Sequence, residues 1–265
     1  MGIARLEQRF SASGKKKVLV VYLTVGDPSV DDTFECALAA LEAGADVLEL
    51  GVPFSDPTAD GPVIAAASYR AIHQGGSLRA ALTVAERIRT TRTEPLVLFT
   101  YYNPIVAYGE EALVDASDRA GIDGFLVVDL PPEEGATLRA AAQNKGLAMI
   151  PLVAPTTGRE REPRVLSGAS GFIYYVSVTG VTGAKAPLAE AGRDAAALRE
   201  RARLPVVVGF GVRTPDDART VTNAGVDGVV VGTEVVRVLG EAKTREARRG
   251  AVAELVGRLR AGLDG

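Results

Sequence analysis

Ala43-Gly44-Ala45-Asp46-Val47-Leu48-Glu49-Leu50-Gly51 joins a helix end to a short apolar strand, and the same junction recurs down the chain. Ala120-Gly121-Ile122-Asp123 and Ala224-Gly225-Val226-Asp227 repeat it, and Gly168-Ala169-Ser170-Gly171 fills the corresponding place once more. Each glycine falls where a helix C-terminus needs a left-handed residue, so the motif reads as a helix stop that feeds the next strand. Outward from these junctions, strands are predicted at Val18–Thr24, Val47–Leu50, Leu96–Tyr101 and Gly124–Val128, then at Ala148–Val153, Gly171–Val176, Val206–Gly209 and Gly228–Val231. All eight are nearly all-apolar and alternate with longer helical patterns, as expected of strands buried on both faces of a parallel α/β sheet. Eight such units in 265 residues fit one (β/α)₈ barrel, for which about 250 residues is typical. A doubly wound open sheet is the alternative. No low-complexity linker interrupts the chain, so a single domain is expected over residues 1–265, closed by a helix within Lys243 to Leu263.

Composition narrows the function classes. A net charge of −3 and no basic clustering argue against nucleic acid or an anionic membrane as partner. The longest apolar run, Val18 to Leu23, is far too short to span a bilayer, and the first ten residues lack the apolar core of a signal peptide. A cytoplasmic location is expected. Cys36 is the only cysteine and sits among apolar residues, which suits a small buried thiol. His73, the only histidine, stands before Gly75-Gly76 near a helix end and reads as a surface or capping residue. With one of each, the usual zinc clusters are excluded and no metal is expected. Neither a strand followed by GxGxxG nor a Gly-Lys-Ser/Thr loop occurs, so dinucleotide and ATP binding are not suggested.

In a barrel of this type the active site lies at the C-terminal strand ends. Glu49 interrupts the apolar second strand there, and partial desolvation of such a carboxylate raises its pKa toward general acid/base range. The competing reading is a structural Glu paired to a neighbouring strand. The next loop, Val52 to Pro62, is stiffened by prolines and ends in Asp60-Gly61-Pro62, so Asp60 is either a catalytic carboxylate or a helix N-cap. Asp56 reads as an exposed loop carboxylate. Asp129, after the fourth strand, either caps the next turn or orients a catalytic neighbour. Tyr174 and Tyr175 end the sixth strand, so one faces the barrel and the other the helices. Glycines crowd three successive strand ends: Gly180-Val181-Thr182-Gly183, Gly209-Phe210-Gly211 and Gly232-Thr233. Loops seven and eight with a helix N-terminus form the usual phosphate site of these barrels.

The run Leu48-Glu49-Leu50-Gly51-Val52-Pro53-Phe54-Ser55-Asp56-Pro57, closing in Ala59-Asp60-Gly61-Pro62, resembles the signature of the tryptophan synthase α-subunit family. The likeness extends over nearly the whole chain. It includes Thr24-Val25-Gly26-Asp27-Pro28, Tyr101-Tyr102-Asn103-Pro104, Gly180-Val181-Thr182-Gly183 and Gly209-Phe210-Gly211. The resemblance implies a TIM barrel of the phosphate-binding type with an extra N-terminal helix. It also implies retro-aldol cleavage of indole-3-glycerol phosphate to indole and glyceraldehyde 3-phosphate. It makes Glu49 the proton relay and Asp60 the acceptor of the indole N–H. Tyr102, Asp129, Tyr174 and Thr182 become substrate contacts, and Gly183, Gly211, Gly232 and Thr233 the phosphate site. No cofactor is implied in this chain. Pyridoxal phosphate belongs to a partner β subunit in an expected α2β2 assembly. The segment Val178 to Leu188 is expected to act as a lid, hinged at its glycines.

Three positions depart from that family's pattern. Thr58 stands where Leu is usual, Val21 where Pro is common, and Glu234 where a small apolar residue follows Gly-Ser. An anion in the first turn of a phosphate-binding helix competes with the phosphate for the helix dipole, a repulsion of roughly 0.5–2 kcal/mol per unit charge. Three alternatives stand beside the lyase reading. They are an isomerase on another sugar phosphate, a free-standing lyase releasing indole, and a non-catalytic activator of a partner synthase.

Overall fold

The structure, a computed structural model, describes residues 2–12, 17–176, 188–209 and 211–265. Among the described residues, nine parallel strands make one sheet: β1 (Val18–Thr24), β2 (Val47–Gly51), β3 (Leu96–Thr100), β4 (Gly124–Val127), β5 (Ala148–Met149), β6 (Leu152–Val153), β7 (Ile173–Val176), β8 (Val206–Gly209) and β9 (Gly228–Val231). Their order is β5-β4-β3-β2-β1-β9-β8-β7-β6. The first strand lies beside the last, with Val18 opposite Gly228, and every other pair of neighbours is consecutive in sequence, the order of a barrel and not of a doubly wound sheet. The two ends of that order, β5 and β6, are pieces of one run. Ile150 donates its N–H to Phe125 on the β4 side, and Pro151 accepts from Tyr174 on the β7 side. Proline has no N–H for a ladder, so the run changes partners there. The predicted fifth strand is thereby split in two, and through it the ring closes with eight strand positions.

Alternation divides the strand side chains into two cores. Val18, Val20, Val47, Val97, Leu126, Val207 and Val230 fill the barrel interior. Leu19, Val21, Leu48, Leu98 and Val229 face outward against the helices. Val21, one of the three departures, is therefore in the outer layer and away from the interior. Cys36 lies in this layer, fully buried in the helix Val30–Glu42, and burial pushes its thiol up to about 12. The closing helix runs Arg245–Asp264. Among the described residues, no helix is long and apolar enough to cross a membrane.

The recurring junction has a second role that its glycines conceal. Gly44, Gly121, Gly168 and Gly225 all have positive φ, as helix stops should. The polar residue that follows each of them then ties the bottoms of adjacent strands. Asp46 accepts from Leu19 N–H at 2.7 Å, Asp123 from Leu96 and Asp227 from Val206, each at 2.8 Å, and Ser170 from Met149 at 3.0 Å. Arginines compensate the carboxylates: Arg9 and Arg260 at Asp46, Arg5 and Arg89 at Asp123, and Arg199 at Asp227. Buried charges require such partners. Arg5 and Arg9 come from the N-terminal helix Gly2–Ala12, which covers the barrel floor and inserts Leu6 into the interior core. The chemistry is left to the opposite end.

Candidate active site

Interior parity selects the site. Counting by twos along β2 from Val47 gives Glu49 and Gly51; along β1 from Val18, Val20 and Tyr22; along β3 from Val97, Phe99 and Tyr101. Tyr22 and Glu49 are register partners on adjacent strands. Glu49 is 0% exposed, and among the described residues neither of its carboxyl oxygens has a hydrogen-bond partner. The paired structural reading of this residue is therefore excluded. An ionised carboxylate so placed loses its hydration without compensation. Burial pushes Glu49 from its ordinary 4.5 up to about 8, leaving it predominantly an acid at neutral pH.

Asp60 does not cap the helix that follows it. That helix, Pro62–His73, has Gly61 as N-cap and no side-chain cap bond. Tyr101 holds Asp60 in place. Its ring lies 5.0 Å from that of Phe54, its hydroxyl accepts from Ala59 N–H at 2.9 Å, and it hydrogen-bonds the Asp60 carboxylate. Both ends of the proline-stiffened loop are thus fastened to one side chain at the end of β3. Burial raises Asp60 from 3.8 to about 6, against the lowering effect of the Tyr101 hydrogen bond. Farther along the same helix, Arg70 clamps both carboxyl oxygens of Asp27, at 2.9 and 2.7 Å. The Thr24-to-Pro28 motif is thereby tied to the helix that the Asp60 loop leads into.

A small cavity of about 30 Å³ opens among these groups, lined by Tyr22, Asp60, Ile64, Phe99, Tyr174, Gly211, Val212, Val230, Gly232 and Thr233. Tyr174 faces the interior and Tyr175 the helix layer, as alternation requires. Glycine makes room for each cavity tyrosine. A Cβ added at Gly209 would fall 2.1 Å from the Tyr174 hydroxyl, and one at Gly51 2.2 Å from that of Tyr22. Gly232 is the N-cap of the helix Thr233–Glu241 and supplies no side-chain cap, so first-turn amides point toward the cavity end where Gly211 and Thr233 lie. Glu234 is turned onto Arg237, whose Nε donates to it at 3.0 Å, and this bond with the neighbouring cation holds its carboxyl below the usual range.

Of the residues expected at the site, Asp60, Tyr174, Gly211, Gly232 and Thr233 line this one cavity, and Glu49 lies in its wall region, acting on the Tyr22 and Tyr174 hydroxyls. Tyr102 and Asp129 do not line it. Both have the opposite parity: the Tyr102 hydroxyl donates to Glu110 at 3.1 Å, and Asp129 is exposed and accepts from the Tyr102 N–H at 2.7 Å. Asp129 thus caps the neighbouring helix Tyr102–Tyr108, a role that neither sequence alternative named. Thr182, Gly183 and residues 178–187 of the expected lid lie outside the described residues. His73 is exposed, its Nδ1–H donating to the Tyr69 carbonyl at 2.8 Å, and Asp56 is exposed as expected. Among the described residues no group of His, Cys, Asp and Glu could hold a metal ion. Tyr22, Phe99, Tyr101 and Ile64 were not anticipated from the sequence. For the three aromatic residues the strand period carried the signal, each sharing the parity of an interior valine.

A carboxylic acid in an apolar wall, a second carboxylate at the rim and helix amides at the far end suit proton transfer on a substrate that carries an anion at one end and a ring at the other. Comparison with known proteins points the same way. The family model described as tryptophan synthase alpha chain matches residues 10–263. A tryptophan synthase alpha chain from Geotalea daltonii is 44% identical over 264 residues, covering 98% of this chain and 99% of that one. The Geobacter sulfurreducens alpha chain is 46% identical over 92% of each. Among solved structures, the tryptophan synthase subunit alpha of Legionella pneumophila superposes with a TM-score of 0.90 at 35% identity, covering 98% of both chains. By a match that runs almost from end to end, the chain belongs to the tryptophan synthase alpha chain family.

Proposed function

We propose that this chain cleaves indole-3-glycerol phosphate to indole and glyceraldehyde 3-phosphate, as the alpha chain of a tryptophan synthase. The observation that carries the reading is Glu49, fully buried in the barrel wall, unpartnered at both oxygens among the described residues and raised to about 8. Protonated at neutral pH, it is matched to the hardest step, delivery of a proton to the ring carbon that carries the side chain. That protonation places positive charge on the ring nitrogen. Asp60, raised only to about 6, remains a carboxylate and accepts the N–H. The Glu49 carboxylate then removes the proton of the adjacent chain hydroxyl. The carbon–carbon bond opens, its electrons return to the ring to give indole, and the chain carbon becomes the aldehyde. Glu49 ends protonated, as it began. Gly211, Gly232, Thr233 and the amides of the following helix, together with Gly183, hold the phosphate in this reading, with Tyr174 beside the relay and Thr182 as a further substrate contact.

The relay asks no cofactor of this chain; pyridoxal phosphate is expected in the partner β chain, which would consume the indole in an α2β2 assembly. The exposed Thr58 and the 55% exposed Val106 of the helix Tyr102–Tyr108 support a partner surface around the loop that bears Asp60. The test is indole release by the purified chain supplied with indole-3-glycerol phosphate, alone and with a β chain. Release in either condition supports the reading, and silence in both rejects it.

A further inference from the structure

Tyr22 reaches both ends of the cavity. A Cβ added at Gly232 would lie 3.2 Å from the Tyr22 Cβ, so the stem of the tyrosine backs onto the N-terminus of the helix Thr233–Glu241. Its ring then runs toward β2, where the absence of a side chain at Gly51 leaves space for the hydroxyl. Phe99 fixes the ring edge-on, with centroids 5.2 Å apart and planes at 78°. One rigid side chain thus spans from the phosphate end to the carboxylates.

The hydrogen-bond inventory of that hydroxyl is half used. Thr24 Oγ1 donates to it at 3.4 Å, while among the described residues no acceptor takes its own proton. Burial pushes the Tyr22 pKa far above its ordinary value, and the charges of Asp60 and then Glu49 push the same way, so the group stays a neutral donor. A buried donor facing two carboxylic groups without bonding to either has a place for one more oxygen between them.

We propose that Tyr22 contacts the substrate, its hydroxyl donating to the oxygen on the glycerol-chain carbon attached to the indole. This contact rests on the cleavage reading above. With phosphate at Gly232 and the ring at Asp60, the glycerol chain lies along Tyr22. Its reacting oxygen gains alkoxide character as its proton passes to Glu49, and a fixed donor there stabilises that charge before the aldehyde forms.

Tyr22→Phe removes one oxygen and keeps the packing against Phe99 and Gly232. The expected result is a fall in kcat for indole-3-glycerol phosphate of roughly 10- to 100-fold. Affinity for indole-propanol phosphate, which has no chain hydroxyl, should stay within about twofold of wild type by calorimetry. A kcat within about threefold of wild type, or an analogue affinity that falls in parallel with kcat, overturns the contact. Wild type is assayed alongside: a wild type that cleaves while Tyr22→Phe is unaffected rejects this contact alone, whereas a wild type that does not cleave rejects the cleavage reading and the contact together.

Discussion

Replacing Glu49 by Gln should stabilise the protein, and the gain should grow with pH. The carboxyl titrates at about 8 when folded against an ordinary 4.5, with burial as the cause. A carboxyl with a raised folded pKa adds no penalty below the unfolded value, and stability is lost as pH rises from there to the folded value. This shift corresponds to roughly 5 kcal/mol above pH 8, of which less than about a third has already appeared at pH 5.5. Glutamine keeps the shape and titrates nowhere in this range. The stability difference between Glu49→Gln and wild type should therefore widen by roughly 3 kcal/mol between pH 5.5 and 9. Asp60 and every other titrating group are common to both proteins and cancel. The assay is urea unfolding of both proteins across that range, where such a change is a relative shift in midpoint of about 1 M. A difference that stays flat within about 0.5 kcal/mol would falsify the picture of Glu49 as a neutral acid held in an apolar wall.

Other consequences concern activity. Since the relay needs Glu49 protonated and Asp60 ionised, kcat/KM for indole-3-glycerol phosphate should follow a bell with limbs near 6 and 8; loss of the alkaline limb in a steady-state profile would remove Glu49 as the acid. Glu234→Ala should tighten indole-propanol phosphate by no more than about threefold, because Arg237 already compensates this anion; calorimetry giving a tenfold gain would show the ion pair to be ineffective. Adding a β chain should raise indole release well above that of the isolated chain, since a partner that fixes the loop bearing Asp60 favours the competent form only if it binds that form more tightly. Should wild type prove active and indifferent to the partner, the free-standing lyase reading wins, and a response restored by Thr58→Leu would trace the loss to that position.

Much of this is legible in the sequence, for physical reasons. Strand positions followed from apolar runs and from glycine stops, because a left-handed residue is demanded wherever a helix turns into the next strand. Glu49 was legible because a charge inside an apolar strand is costly enough to need a reason. Tyr22 was not, since an aromatic residue within such a run reads first as core. Alternation alone would have preferred Tyr101 to Tyr102 and placed Asp129 outside, as Val97 and Phe99 set the parity of β3 and Leu126 that of β4. The resemblance outweighed that local rule at both positions. Apart from the resemblance, Asp60 stayed undecided because a capping aspartate and a catalytic one have the same local sequence; the uncapped Gly61 and the bond from Tyr101 separate them. The strand-tying role of Asp46, Asp123 and Asp227 was hidden because the acceptors serve strands distant in sequence.

The most direct measurement sets cleavage against binding in Glu49→Gln. With indole-3-glycerol phosphate the variant should lose at least about 100-fold in indole release, the scale of a lost general acid/base. Calorimetry should show indole-propanol phosphate bound with wild-type affinity, because the amide preserves the wall of the cavity. Turnover within about tenfold of wild type would contradict the assignment of Glu49 as the proton relay and, with it, the central account of this site.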